Sequence, residues 1–193
     1  MHTGASRPTP PRQLDPAGAQ TLLAEIFEPG IDRLAHSLGA GRRAEHVAQT
    51  LEQPELLVSA AYLHDVGYAT AARDTGLHQL DGARYLRSIG APDELTSLVA
   101  HHTEAIAEAT GRGLDATLLR EFPLPDRELL DLLTYCDITT SPRGEVVTVD
   151  ERLGDIYDRY PPDHVVSRTI HGLEPRLRQI VSRVGKRIDE RVM

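Results

Sequence analysis

An imidazole and a carboxylate stand side by side at His64-Asp65, after the apolar run Ala60-Ala61-Tyr62-Leu63 and before Val66-Gly67-Tyr68. Together they offer one ion a borderline donor and a hard one. The carboxyl end of a helix, where the pair falls, carries residual negative potential that favours positive charge. Further candidate ligands recur along the chain on apolar stripes. His36 aligns with Ala40, Ala44, Val47 and Leu51; His78 with Gly82, Tyr85, Leu86 and Ile89; His102 with Leu95, Leu98 and Val99. His101 lies one step round from His102, and Asp137 shares a face with Leu130 and Leu133. A polar group carried into an apolar interior needs a partner, and an ion supplies charge and coordination together. His36, His64, Asp65, His78, His101, His102 and Asp137 are therefore the expected metal ligands. They exceed the four of a structural zinc site, and a single cysteine, Cys136, rules against a thiolate site. Two divalent cations bridged by Asp65 fit the count; iron, manganese and magnesium all remain open. Cys136 itself reads as small core filling.

The elements that must position these groups are helical. Strand signals are scarce, and the apolar spacing is that of helices nearly everywhere. The pattern predicts helices over 16–27, 31–51, 54–66, 75–89, 92–102, 127–139, 149–160 and 163–171, then an amphipathic tail. Asp15 is the expected cap of the first helix. Gly39 and Gly41 weaken the second and suggest a kink or break. Gly67 is expected to stop the third in a left-handed conformation, and Gly82 to leave room beside His78. Residues 110–126, with Gly111, Gly113, Pro123 and Pro125, read as an irregular surface excursion. The arginines of the tail read as its solvated face.

Composition bounds the function. A chain of 193 residues with 40% hydrophobic and 26% charged content suits one soluble domain. The expected division is a disordered arm over 1–13 and one helical domain over 14–193. Within that domain a metal-binding core spans 30–140 and C-terminal helices span 148–191. A net charge of −8 argues against nucleic-acid and anionic-membrane surfaces. It does not exclude an anionic substrate, since bound cations reverse the local sign. No stretch is long and apolar enough for a membrane span or a signal peptide. The lone cysteine favours a cytoplasmic, reducing setting. Self-association is left open. No phosphate-cradling glycine loop or Gly-x-Ser-x-Gly elbow is present.

His36, the His64-Asp65 doublet and Asp137, in that order, resemble the ligand signature of the HD superfamily of metal-dependent phosphohydrolases. His78-x-x-x-Gly82 and His101-His102 further resemble the additional ligands of dinuclear members, including the HD-GYP phosphodiesterases. The resemblance implies an all-α fold, a single HD-type helical bundle with extra C-terminal helices. It also implies Asp65 as a bridging carboxylate and, with His64, the catalytic centre, where a water activated by the ions attacks a phosphate ester. Two departures bear on substrate. Gly67-Tyr68 stands where HD-GYP proteins have a lysine, and Thr103-Glu104-Ala105-Ile106 replaces the Gly-Tyr-Pro element. A small phosphoester, such as a nucleotide, is expected rather than a cyclic dinucleotide. Arg43, Arg73, Arg143 and Tyr68 are the candidates for handling it. Two alternatives stand beside hydrolysis: a mixed-valence di-iron oxygenase on the same scaffold, and a regulatory module that binds a nucleotide without turnover.

Overall fold

The computed structural model describes residues 14–193; the expected arm at 1–13 lies outside them. Among the described residues the fold is all-α, with one isolated antiparallel bridge between Thr140 and Val146. In chain order the helices are α1 (Pro16–Ile26), α2 (Asp32–Leu51), α3 (Glu55–Leu63), α4 (His78–Ser88), α5 (Asp93–His101), α6 (Ala105–Arg112), α7 (Asp115–Glu121), α8 (Arg127–Ile138), α9 (Val149–Arg159) and α10 (Val165–Val192). Short 3-10 turns follow α3 at Val66–Tyr68 and α5 at His102–Glu104. None of the described helices is long and apolar enough to cross a membrane.

The middle of the bundle is α3. Every residue from Leu57 to Leu63 is buried, as expected of a helix that is apolar all round. It packs against α1, α2, α5 and α8, so its carboxyl end, with His64 and Asp65, opens into the interior. Asp15 caps α1 as expected, accepting the Gly18 N–H at 2.8 Å.

Several glycines act differently from expectation. Helix α2 runs unbroken through Gly39 and Gly41. A Cβ on Gly39 would lie 2.4 Å from the Gly144 backbone, and one on Gly41 2.1 Å from the Tyr62 ring. These positions trade helix propensity for close approach. Gly67 is not left-handed and does not end α3; it sits in the 3-10 turn. A Cβ there would lie 1.9 Å from the His78 carbonyl, and one on Gly82 would lie 2.9 Å from the Gly67 nitrogen. The pair lets α4 rest directly on the turn beside Asp65, and the space near His78 is filled by backbone.

The span 110–126 is mostly helical rather than irregular, because Leu118 and Phe122 are buried in the core and draw it in. The last predicted helix and the tail are one element, α10, continuous through Gly172 and Pro175. Its arginines are not simply a solvated face. Asp131 of α8, 3% exposed, is paired with Arg176 at 2.9 Å, with Arg183, and with Arg127 at 3.1 Å. A second apolar cluster of Ile138, Leu153, Ile170 and Leu177 seats α9 and α10 on the end of α8.

Two substitutions test the glycine reading. Gly67→Ala is expected to destabilise the protein by about 1–3 kcal/mol or more, since backbone must move to admit the methyl group. Gly185→Ala, inside α10 with no atom within 4 Å of its added Cβ, is expected to stabilise by up to about 1 kcal/mol. Urea denaturation of both variants decides the matter, and a Gly67→Ala protein as stable as the parent would count against the close-approach account.

Candidate metal centre

Helices α2, α3, α4, α5 and α8 each send a polar group to one interior point. His36 comes from the second turn of α2, His64 and Asp65 from the end of α3, His78 from the first residue of α4, His102 from just beyond α5 and Asp137 from the last turn of α8. All but His78 are buried, and His78 is half-buried.

The outer nitrogens of the rings fix their tautomers. His36 Nδ1 lies 3.1 Å from the Ser141 carbonyl, His64 Nδ1 2.8 Å from that of Ala61, and His102 Nδ1 2.7 Å from that of Val99. A carbonyl only accepts, so each Nδ1 carries a proton, and each Nε2 is the ring nitrogen turned inward, a lone pair in the neutral form of the ring. There the His36 and His64 Nε2 atoms are 3.2 Å apart, and those of His78 and His102 3.3 Å apart. With both rings in the neutral form, the His36 and His64 lone pairs face each other and cannot bond to one another.

The carboxylates complete the pattern. Asp65 Oδ2 lies 3.8 Å from His36 Nε2 and 3.5 Å from His64 Nε2. Asp65 Oδ1 lies 3.4 Å from His78 Nε2 and 3.9 Å from His102 Nε2. The two oxygens of one carboxylate thus face separate pairs of histidines. Asp137 Oδ1 adds a second carboxylate at 3.0 Å from His36 and 3.8 Å from His64, while its Oδ2 accepts the Thr103 hydroxyl at 2.5 Å. Three overlapping triads can each hold a cation: His36, His64 and Asp65; His64, His102 and Asp137; Asp65, His78 and His102. The donor set fits a metal, because inward lone pairs and anionic oxygens are reconciled by positive charge.

The protonation states suit that task. Burial alone would raise the Asp65 carboxyl, but the Arg33 guanidinium and the surrounding His64, His78 and His36 outweigh it and hold it well below the carboxylate range. Asp137 is likewise lowered against the effect of burial, by His36 at 3.0 Å, by His64 and by Arg152. Burial pushes His78 well below the ordinary histidine value, with Asp65 opposing, and lowers His102 too. Ionised carboxylates and neutral imidazoles are the forms that bind metal.

Not every candidate faces this point. His101 turns away, its Nε2 3.0 Å from the Phe122 carbonyl. Arg43 is engaged elsewhere, donating to the Thr139 hydroxyl and the Tyr135 hydroxyl at 2.7 Å each. Arg73 is exposed and donates to the Tyr68 carbonyl at 2.9 Å. Arg143 is exposed in the turn after α8. Of the four substrate-handling candidates, Tyr68 alone lines the adjoining cavity.

That cavity, of about 90 Å³, opens from Asp65, His78, His102 and Asp137 toward α9 and α10. Its lining includes Arg33, Arg152 and Arg159, none of them singled out in the sequence. Arg33 donates to Asp65 Oδ2 at 2.5 Å and lies over the Tyr68 ring, 3.9 Å from its centroid; Tyr68 stacks on His78 at 4.2 Å. The one available signal for Arg33 was its place a single turn before His36, on the same face of α2. Thr103 could not be read from sequence at all. Its φ of 50°, followed by Glu104 at 56°, is strained for residues with side chains. The hydroxyl bond to Asp137 and the clamp of Arg127 and Arg176 on Glu104 hold that turn.

A family model described as HD domain matches residues 33–141, more than half of the chain and every inward ligand. The chain belongs to the HD-domain family. No curated protein and no solved structure matches it. HD domains form a superfamily of metal-dependent hydrolases, mostly phosphohydrolases, and this chain carries buried His/Asp groups able to hold metal. In this HD domain α9 and α10 lie beyond the matched stretch.

The depressed histidines make a prediction for the metal-free protein. Between the folded-state values of His78 and His102 and the ordinary value of 6.5, the unfolded chain binds more protons than the folded one. Stability therefore rises with pH and is lost on acidification below 6.5. The slope is up to about 1.4 kcal/mol per pH unit for each histidine. Melting temperatures of chelator-treated protein should fall through this window and fall less in His78→Gln; a flat profile in the parent contradicts the burial of neutral rings.

Proposed function

We propose that this HD-domain protein is a phosphohydrolase using two divalent cations to cleave a small phosphate ester, a nucleotide being a fitting example. The observation that supports this most strongly is the placing of Asp65. Its oxygens, on opposite sides of one carboxylate, serve His36 and His64 on one hand and His78 and His102 on the other. Asp137 belongs to the first group, and Asp65 would bridge both.

When bound, such cations neutralise charge on phosphoryl oxygens and lower the pKa of a water toward neutrality. The chain's own residues do the rest. The backbone carbonyls of Ser141, Ala61 and Val99 hold the rings in register and turn their Nε2 atoms toward the centre. Thr103 fixes the outer oxygen of Asp137 and leaves the inner one for the centre. Arg33, spanning Asp65 and Tyr68 at the cavity wall, offers a guanidinium to an anionic substrate. Tyr68 walls the cavity beside His78.

The test is a panel of phosphomonoesters, nucleotides and phosphodiesters on protein of known metal content. Phosphate release that needs manganese, magnesium or iron is expected. Asp65→Asn should reduce it on the order of a thousandfold, equivalent to about 4 kcal/mol in the transition state, and His78→Ala should lose part of the metal complement. Stoichiometric iron with oxygen consumption and no phosphate release would instead establish the di-iron oxygenase. Nucleotide binding by calorimetry without turnover would establish the regulatory module.

A further inference from the structure

The helix that closes the cavity comes from outside the family-matched stretch. A capping box starts α9: the Thr148 hydroxyl accepts the Glu151 N–H, and the Glu151 carboxylate takes the Thr148 N–H in return. That fixes the phase of the helix from its first turn. Arg152, Ile156 and Arg159 then follow at i, i+4 and i+7, so they share a face, and all three line the cavity. On the adjoining face Leu153 is anchored in the cluster with Ile138, Ile170 and Leu177.

Arg152 is an unusual residue to bury. It is 6% exposed, and its Nε is enclosed without a hydrogen-bond partner. Its ion pair is a long one, Nη2 to Asp137 Oδ1 at 3.8 Å. Gln79, 4% exposed and in the same lining, has an equally unpartnered Oε1. Arg159 is exposed and, among the described residues, has no ion pair or hydrogen bond. A guanidinium is always charged, so it cannot escape the cost of burial by losing a proton. The carboxylate within its reach is one that faces the metal centre. Cations at Asp137 and guanidinium groups on α9 are like charges crowded round one small cavity. Only an anion between them brings both into favourable contact.

We propose that Arg152, with Arg159 two turns further on, forms the subsite for the phosphate of the substrate. A helix additional to the family-matched core thus supplies recognition of the anion. The planar fork of a guanidinium presents parallel N–H groups that match the oxygens of a phosphate. This inference rests on the phosphohydrolase reading and adds to it the residues that select a phosphorylated ligand.

Inorganic phosphate is the probe. Calorimetric titration into the manganese-loaded full-length protein, with metal content measured in parallel, compares the parent with Arg152→Gln, Arg152→Lys and Arg159→Gln. Loss of one charged donor pair is expected to weaken phosphate binding about ten- to hundredfold in Arg152→Gln. Arg152→Lys should recover part of it and Arg159→Gln should lose a smaller factor, all with unchanged metal content. Unchanged phosphate affinity in the fully metallated glutamine variants overturns the subsite and leaves the hydrolase standing. Should Arg152→Gln fail to fold, the exposed Arg159→Gln decides alone, and parental affinity there overturns the proposal. A parent that takes up metal but neither binds phosphate nor releases it from any ester overturns both.

Discussion

The structure depends on the cost of keeping an ionised carboxylate at Asp65, 2% exposed, at the end of a helix with no polar face. An unpaired charge there would be ruinous. The fold meets it with Arg33 on one oxygen and imidazoles around both. Three of them, His36, His64 and His102, are in turn oriented by carbonyls of Ser141, Ala61 and Val99, which makes their inner nitrogens acceptors whenever the rings are neutral. Acceptors gathered round an anion are not self-consistent without positive charge. The demand for a cation is therefore built into the packing, and function and fold share one electrostatic requirement.

Meeting it needs backbones unusually close together. Gly67 and Gly82 let α4 lie on the turn that follows Asp65, which brings His78 within 3.4 Å of Oδ1. Gly39 lets α2 approach Gly144 in the turn after α8, where Ser141 receives His36. Tyr62 packs over Gly41 and donates to Glu45 at 2.8 Å, locking α3 to α2 from the other side. Gly39, Gly41 and Gly82 each lower helix stability locally by about 1 kcal/mol, and each is placed where a ligand-bearing helix must make contact.

Much of this was legible from spacing. The helical periods of α2, α4 and α8 put His36, His78 and Asp137 on apolar stripes, and a stripe is a statement about direction that survives into the fold. The doublet His64-Asp65 was legible for the same reason. What could not be read were facts created by contacts distant in the chain. His101 and His102 are neighbours, and their final partners come from far along the chain: His101 meets the Phe122 carbonyl, while His102 meets His78 and Asp65. The span 110–126 carries turn residues, yet Leu118 and Phe122 find a core and impose helix on it. The helix predicted to end at 171 runs on through Pro175, since a long helix pinned to Asp131 by Arg176 and Arg183 tolerates one missing donor. Arg152 was the hardest of all, since an arginine in an acidic, amphipathic segment reads as surface until the helix docks.

That docking makes the C-terminal helices part of the centre rather than an addition to it. Asp137 and Asp131 lie on the same helix, α8, less than two turns apart, and each is met by arginines from beyond the family-matched stretch. Asp131 is paired tightly and has its charge satisfied by α10. Asp137 is met only at 3.8 Å by Arg152, with its nearer contacts given to His36 and Thr103. The contrast separates two uses of a buried carboxylate on one element. A fully paired one fixes the position of a helix, whereas an incompletely paired one keeps capacity for something else. The same α10 that is fixed through Asp131 presses Ile170 and Leu177 against Leu153 of α9, which places Arg152 beside Asp137. The long tail thus sets the distance between guanidinium and ligand cluster, and with it the room left between them for an anion.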